Sequence, residues 1–361
     1  MAEPFLRPSK APRGERRLLA VFDGGNAPGY SSVAVAITEE CERRGYELWA
    51  ATQGFRSLTK DATAELAFER LTVGRKERYR LLAEGIPARS MGRRVQDPGS
   101  DFRSERYQGF RDEARRREAA KVFRKQGFTH LIAVGGNGTL EGARAWMEAF
   151  EGERPRTGFV NVSIDNDLTG DRAIGFLTGV EAGAKIARGL YEDGYTHKRV
   201  YLLEMMGNRS GRHALHCGVA SRAHLIVLPF FSLPDEVLSE IARGLGGLDS
   251  ALVVVAEGYE RERREKMDPR PSASAFLAQQ LAAHGLEDQP ERRVIAEPFT
   301  RYLRGVRPGF ADISAAYLKV SLLFDAFDEG RVERSFLPLL DRLVLPKFRR
   351  WVAEKFTGVT V

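Results

Sequence analysis

Two aspartates two positions apart, Asp165 and Asp167, close an apolar run at 159–164. Carboxylates at that spacing lie near each other. One can take a proton from a sugar hydroxyl while the other helps to hold Mg²⁺, directly or through water. The plainer alternative is a helix N-cap with a solvated neighbour. Two glycine-rich turns, Gly24-Gly25 and Gly135-Gly136-Asn137-Gly138-Thr139, also follow apolar runs and precede helical patterns. Glycine lets phosphate oxygens approach the backbone, and the next helix offers free N–H groups. A tight turn without a ligand uses glycine too, so either loop alone is weak evidence. Both loops beside an Asp-x-Asp segment are a much stronger combination. A fourth run ends in Met206-Gly207-Asn208-Arg209-Ser210-Gly211. Phosphoryl transfer needs little beyond an in-line base, a metal and charge neutralisation, and this set is close to that minimum.

The elements that must position these residues read as an alternation. Short runs rich in Val, Ile, Leu and Ala occur at 18–22, 131–136, 159–164, 199–207, 224–229, 251–258 and 293–299. Helical patterns at 31–44, 110–126, 139–150, 177–192 and 234–245 lie between them. Near-continuous apolar runs are expected of strands buried on both faces. Their alternation with helices predicts parallel sheets with crossover helices, whose strand ends form the ligand crevice. The polar segments 85–108 and 259–272, rich in Arg, Gly and Pro, are expected to be loops. There is no internal repeat.

The chain has 361 residues, too many for one small core, and two α/β lobes are the natural solution. Its net charge is +7, from 56 basic and 49 acidic residues. No basic run of the kind that forms a nucleic-acid arm is present. The charged helix 111–126 mixes signs as a solvated face does. Nucleic acid is therefore not an expected partner. Arg93, Arg94, Arg199, Arg209, Arg301 and Arg304 instead stand beside predicted loops, where arginine suits an anionic small molecule. Two cysteines in unrelated contexts exclude a disulfide framework and point to a reducing compartment. No apolar stretch is long enough to span a bilayer. The polar first 15 residues read as a mobile leader, and a cytoplasmic protein is expected.

These motifs together resemble the phosphofructokinase family. GGNAPG is similar to that family's GGDAPG, GGNGT to its GGDGS/T phosphate loop, SIDND to its TIDND strand end, and MGNRSG to its MGR segment. AEG at 256–258 resembles the segment with a sugar-binding Glu. RYLRGVRPGFAD at 301–312 resembles the YIIRSVPANASD stretch of the pyrophosphate-dependent and plant-like branch. The six occur in the family's order over residues 17–330. The resemblance implies two Rossmann-like lobes: a donor lobe of 15–176 with 303–345, and a sugar-phosphate lobe of 177–302 with 346–361. It implies Asp165 as base for the sugar 1-hydroxyl and Asp167 as its companion near the metal. Gly25, Gly136, Gly138 and Thr139 would cradle the donor phosphates, with Arg93 or Arg94 meeting the donor. Ser163, Met206, Gly207 and Glu257 would line the sugar pocket. Arg199, Arg304 and Arg293 would take the 6-phosphate, some of them across a subunit interface. A homodimer or homotetramer is implied.

Departures from the family pattern are equally specific. Asn26 and Asn137 stand where aspartate is usual, the second being the Mg²⁺-associated carboxylate. Asn208 replaces the arginine that neutralises the transferring group, with Arg209 adjacent as a substitute, and Arg301 stands at a Tyr or His position. Together they suggest a changed donor, a changed acceptor or weak activity. The pyrophosphate-using branch has an Asp at the Gly138 position and a Lys at the Val162 position. Gly and Val here favour ATP over pyrophosphate, and Phe55 is a candidate for stacking on adenine or for ordinary packing. The leading expectation is Mg²⁺-dependent transfer from ATP to a phosphorylated ketose, by default fructose 6-phosphate. A same-fold kinase for another sugar or a nucleoside is one alternative. A catalytically weak regulatory paralogue is another. A dinucleotide-binding dehydrogenase lacks the full GxGxxG after its first strand. His213, His216 and Cys217 share a predicted helix, but no further ligand cluster accompanies them to make a zinc site.

Overall fold

The computed structural model describes residues 16–73, 79–81, 87–92, 94–168, 170–207, 209–298 and 301–330. The expected leader, Arg93, Asn208 and the expected late crossing with its 346–361 segment lie outside the described residues.

The chain divides into two compact units, and the division follows its apolar runs. The first unit takes residues up to 163, 168–174 and those from 307 on; the second takes 164–167 and 175–306. In chain order the first unit contains β1 (Arg17–Phe22), α1 (Tyr30–Arg44), β2 (Glu47–Phe55), β3 (Phe68–Thr72), β4 (Tyr79–Leu81) and β5 (Pro87–Ser90). It continues with α2 (Glu113–Lys125), β6 (His130–Gly135), α3 (Asn137–Glu148) and β7 (Arg156–Asn161). The second unit holds α4 (Phe176–His197), β8 (Arg199–Met205), α5 (Arg212–Ser221), β9 (Leu225–Val227) and α6 (Asp235–Gly246). It is completed by β10 (Ala251–Ala256), α7 (Arg261–Arg264), α8 (Ala273–Ala283) and β11 (Arg293–Glu297). The chain then returns to the first unit in α9 (Phe310–Asp328).

The first sheet is mixed, in the order β4-β5-β3-β2-β1-β6-β7. Its centre is parallel: β1 pairs with β2 and β6, and β6 with β7. The pairs β2–β3 and β4–β5 are antiparallel. After β1 the chain builds one side of the sheet, and from β6 it builds the other. The switch point between β1 and β6 is where such a sheet opens a crevice at its carboxyl ends. Trp146, Phe55, Phe110, Phe123 and Phe150 pack one face, with Trp146 fully buried. Arg44 on α1 ties down α9, bonding Asp325 and Asp328 at 2.6 Å each and Glu40 at 2.7 Å.

The second sheet is wholly parallel, in the order β11-β8-β10-β9. Its central strands, β8 and β10, are buried on both faces. Val200, Leu202, Val253 and Val255 turn to one core, and Tyr201, Leu203, Leu252 and Val254 to the other. That two-sided burial is the reason these runs are continuously apolar rather than alternating.

Two expectations need correction. The run at 159–164 leaves the strand at Asn161, because β7 begins earlier, at Arg156. The segment 85–108 contains β5, and the segment 259–272 contains the short helix α7.

Candidate active site

In the first unit the two glycine loops meet at the switch point. Thr139, 2 % exposed, places Oγ1 3.0 Å from Asp23 Oδ2 and 3.2 Å from the Asp23 carbonyl oxygen. Tyr30 donates its hydroxyl to the same carbonyl at 2.7 Å. The loops approach so closely that a Cβ on Gly135 would lie 2.3 Å from Thr139 Oγ1 and 2.4 Å from the Asp23 carbonyl oxygen. Only glycine fits there. Helix α3 starts at Asn137 with neither a side-chain cap nor an acidic residue in its first turn. Its first N–H groups thus carry the partial positive charge that suits phosphate. A Cβ on Gly138 would meet nothing within 4 Å, while Gly136 faces the Ser163 side chain at 3.5 Å. Ser163, expected to contact the sugar substrate, borders the 135–139 loop within the first unit.

Asp23 was not singled out from the sequence, although it opens the first loop. Burial pushes its carboxyl up to about 6, against the pull of the Thr139 hydroxyl. Arg94 bonds Asp101 and has Asp97 at 3.9 Å. Phe55 is 2 % exposed and stacks on Phe110 at 4.3 Å, so it is a core residue and not an adenine platform.

Asp165 and Asp167 belong to the second unit, on the 164–167 segment. Asp165 is buried, and Asn166 between them is left-handed with φ 50°. Asn tolerates that conformation better than most residues, which lets the chain turn sharply between the two carboxylates. Ser210 Oγ lies 2.7 Å from the Asp165 carbonyl and 2.9 Å from that of Gly207. Its single proton thus links the MGNRSG segment to the carboxylate segment. Ser210 carried no expectation; its place in a glycine-flanked strand end was the only sequence signal.

At the carboxyl ends of β8, β10 and β11 the second unit opens a cavity of about 460 Å³. Met206 and Glu257 line it, as the sequence leads one to expect, and so does Arg301. The Glu257 N–H donates to the Met205 carbonyl at 2.9 Å, which fixes the two strand ends side by side. Gly207, at φ 135°, packs on His213. Arg304 lies on the turn after β11, near enough to His213 to add its charge to the burial that pushes this imidazole down to about 4. His213 and Cys217 are buried among α4, α5 and the sheet, and among the described residues no group of three metal-ligating side chains forms. The sequence did not single out the other arginines of this cavity, Arg261, Arg264 and Arg270. They sit in the segment after the Glu257 strand end, where their type alone looked like surface solvation.

Arg199 and Arg293 are elsewhere. They pair in register at the amino ends of β8 and β11. The length of β8 separates them from Met206, about 20 Å at 3.3 Å per residue. Arg199 is held by Asp193 at 2.7 Å, and Arg293 by Asp288 at 3.2 Å. Arg209, exposed at the end of the MGNRSG segment, acts electrostatically on Glu265.

Comparison with known proteins agrees with this layout. Residues 17–319 match the phosphofructokinase family model. An ATP-dependent 6-phosphofructokinase of Aquifex aeolicus is 31% identical over 244 residues, covering 66% of this chain and 68% of its own. One from Coxiella burnetii is 26% identical over 242 residues, covering 67% of each chain. Among solved structures, the Saccharomyces cerevisiae phosphofructokinase superposes with TM-score 0.67 at 21% identity, over 87% of this chain and 42% of that longer one. The pyrophosphate-dependent phosphofructokinase of Marinobacter aquaeolei gives 0.64 at 18% identity, over 87% and 76%. At these identities the superpositions speak for the fold, whereas the family match spans both units and every motif described above. This chain belongs to the phosphofructokinase family.

Proposed function

We propose that the protein transfers a phosphoryl group from ATP to the 1-hydroxyl of a phosphorylated ketose, fructose 6-phosphate by default. The observation that carries the proposal is the Asp165-Asn166-Asp167 turn, which retains both carboxylates of the family's catalytic strand end and holds the first of them buried. Asp165 takes the proton of the attacking hydroxyl, and its burial spares it competition from water. The backbone of Gly25, Gly136, Gly138 and Thr139 receives the donor phosphates, aided by the uncapped α3 N-terminus. Glu257 accepts a hydrogen bond from a sugar hydroxyl, and Met206 and Gly207 shape the apolar wall.

Of the residues assigned to magnesium, Asp165 and Asp167 stand together on the 164–167 segment of the second unit, and Asn137 opens α3 in the first. No dense carboxylate cage forms among the described residues. This donor set fits Mg²⁺, which keeps several waters and takes ligands from substrate phosphates. When bound, the ion neutralises charge on the transferring group. The loss of a carboxylate at Asn137 places more of that task on Asp165 and Asp167.

ATP is favoured over pyrophosphate by Gly138, beside which there is open space, and by Val162, which is apolar and 1 % exposed. The relatives named as ATP-dependent enzymes support the same donor. Arg199 and Arg293, remote from their own chain's pocket, fit a homodimer or homotetramer in which they serve a neighbouring subunit. Two buried free thiols, Cys41 and Cys217, fit a cytoplasmic setting. Among the described residues no helix is long and apolar enough to cross a membrane.

A coupled assay with Mg²⁺, ATP or pyrophosphate, and a panel of sugar phosphates, free sugars and nucleosides tests the reading. Turnover with ATP and fructose 6-phosphate is expected. Turnover with pyrophosphate alone would overturn the donor, turnover with a nucleoside alone the acceptor, and none at all the function.

A further inference from the structure

Asp23 follows β1 at a point where three other elements meet it. Its N–H donates to the Val134 carbonyl of β6 at 2.9 Å, its carbonyl accepts from Tyr30 of α1 at 2.7 Å, and its carboxyl faces Thr139 of α3. The residue is 7 % exposed. A buried carboxylate is unfavourable unless donors surround it. Among the described residues no donor closes a hydrogen bond to its Oδ1, although the Phe55 N–H exerts some pull on the carboxyl. The β2 backbone presses on that oxygen, since a Cβ on Gly54 would sit 2.9 Å from it. The charges that act on Asp23 are Arg106 and Glu105, of opposite sign. Tyr30, the titratable group that α1 brings to it, donates its proton to the Asp23 carbonyl.

The contacts of Thr139 are those expected beside an acid rather than beside an ion. Its Oγ1 lies 3.0 Å from Asp23 Oδ2 and 3.2 Å from the Asp23 carbonyl oxygen. A hydroxyl has one proton and two lone pairs. Facing a carboxylate, it donates to Oδ2 and leaves oxygen against oxygen at the carbonyl. Facing a carboxylic acid, it accepts from Oδ2 and donates to the carbonyl, whose other lone pair takes Tyr30. Both contacts are then hydrogen bonds. Burial, which pushes this carboxyl up to about 6, favours the same form.

We propose that Asp23 is a positioning residue that works as the neutral acid, pinning Thr139 between the glycine loops, and that a polyphosphate donor seated on those loops draws a proton from solvent onto Asp23. The donor's negative charge disfavours the ionised carboxyl further, so that binding and protonation reinforce each other. The donor rests on the function proposed above; the neutral pin does not.

Calorimetric titration of the full-length protein with ATP and Mg²⁺, and separately with pyrophosphate, in buffers of different ionisation enthalpy counts the protons taken up. Comparison with Asp23→Asn cancels the protons that the ligand itself carries. Near pH 7 the wild type should take up about half to one proton more than the variant. Relative to the variant, its affinity should fall about tenfold from pH 6 to pH 8. The Asn amide donates to Thr139 at every pH, so Asp23→Asn should bind about tenfold tighter than wild type at pH 8. A purely structural role would instead weaken binding by one factor at every pH. Asp23→Ser, also neutral, should lose the coupling in the same way. Without ligand, the urea midpoint of the wild type should rise relative to Asp23→Asn as pH falls from 8 to 5, because the cost of the buried charge is removed. Equal uptake and parallel pH dependence in wild type and both variants would overturn the proposal, and so would weaker binding by Asp23→Asn at pH 8. ATP binding without any difference in coupling would leave the donor site standing and remove this proposal alone. Binding of neither ATP nor pyrophosphate would remove the donor site and the coupling together.

Discussion

The glycine loops of the first unit, proposed to take the donor, and the cavity of the second, proposed to take the acceptor, are built from different materials. The loops are made of backbone. Glycines at 24 and 135 let main-chain groups come together, and the Thr139 hydroxyl joins the loops at the Asp23 carboxylate and carbonyl. The cavity of the second unit is made of long side chains, with Arg261 and Arg270 on a loop tied in place by Arg264. A backbone site tolerates almost no added volume, whereas a side-chain site is tuned by charge. The two should therefore break in different ways.

The largest effect should come from Asp165, which belongs to neither material. Asp165→Asn removes the base while keeping shape, and it should lower kcat about 10²- to 10⁴-fold, with the affinity for fructose 6-phosphate changed much less. Steady-state kinetics beside calorimetric binding checks this, and a fall confined to KM would contradict it.

Acid should separate the two units. Burial pushes His130 in the first unit and His213 in the second down to about 4 from an ordinary 6.5. The folded state then binds fewer protons than the unfolded one, so stability is lost as pH falls from about 6.5 to 4, by on the order of 3 kcal/mol for each histidine. Asp23 acts in the opposite sense. Its folded pKa of about 6 lies above its ordinary 3.8, so ionising it costs stability as pH rises through that window, and lowering the pH restores this. The first unit thus has a counterweight, while in the second unit His216, also lowered by burial, adds to the loss. Hydrogen exchange between pH 7 and 4 should show the second unit losing protection first, and Asp23→Asn should bring the first unit into step. Equal loss in both units of the wild type would break the comparison.

Added volume gives the next effect. Gly135→Ala places a methyl against the Thr139 hydroxyl and the Asp23 carbonyl, and should destabilise by about 1–3 kcal/mol in a thermal melt while weakening ATP. Gly138→Asp, whose Cβ points into open space, should melt within about 0.5 kcal/mol of wild type. It should still lose about tenfold in ATP affinity, because its carboxylate opposes the donor phosphates. If both glycine variants melt alike, the donor loops are less tightly packed than described.

The same contrast explains what was legible in the sequence. Glycine spacing, the Asp-x-Asp turn and the continuous strands of the second sheet are local patterns, and the structure places them in βα turns and parallel strands. The elements β3, β4 and β5 were not legible, because this edge of the sheet is short, polar and partly antiparallel, with no period to read. Phe55 illustrates a different limit, since an aromatic beside a loop has the same letter whether it stacks on a base or, as here, on Phe110. Arg199 and Arg293 were assigned to the 6-phosphate by the family resemblance, partly across a subunit interface, and a single chain shows only that they stand at the amino ends of β8 and β11. Arg261, Arg264 and Arg270 passed unnoticed because a loop arginine becomes a cavity wall only through its tertiary anchor.

The most direct test of the central claim is ³¹P NMR of the product formed from ATP and fructose 6-phosphate by the wild-type protein. The account predicts a bisphosphate with the new ester on the 1-hydroxyl, absent when Asp165→Asn is used. ATP consumption that leaves fructose 6-phosphate unmodified, or a new ester that persists undiminished with Asp165→Asn, would contradict it.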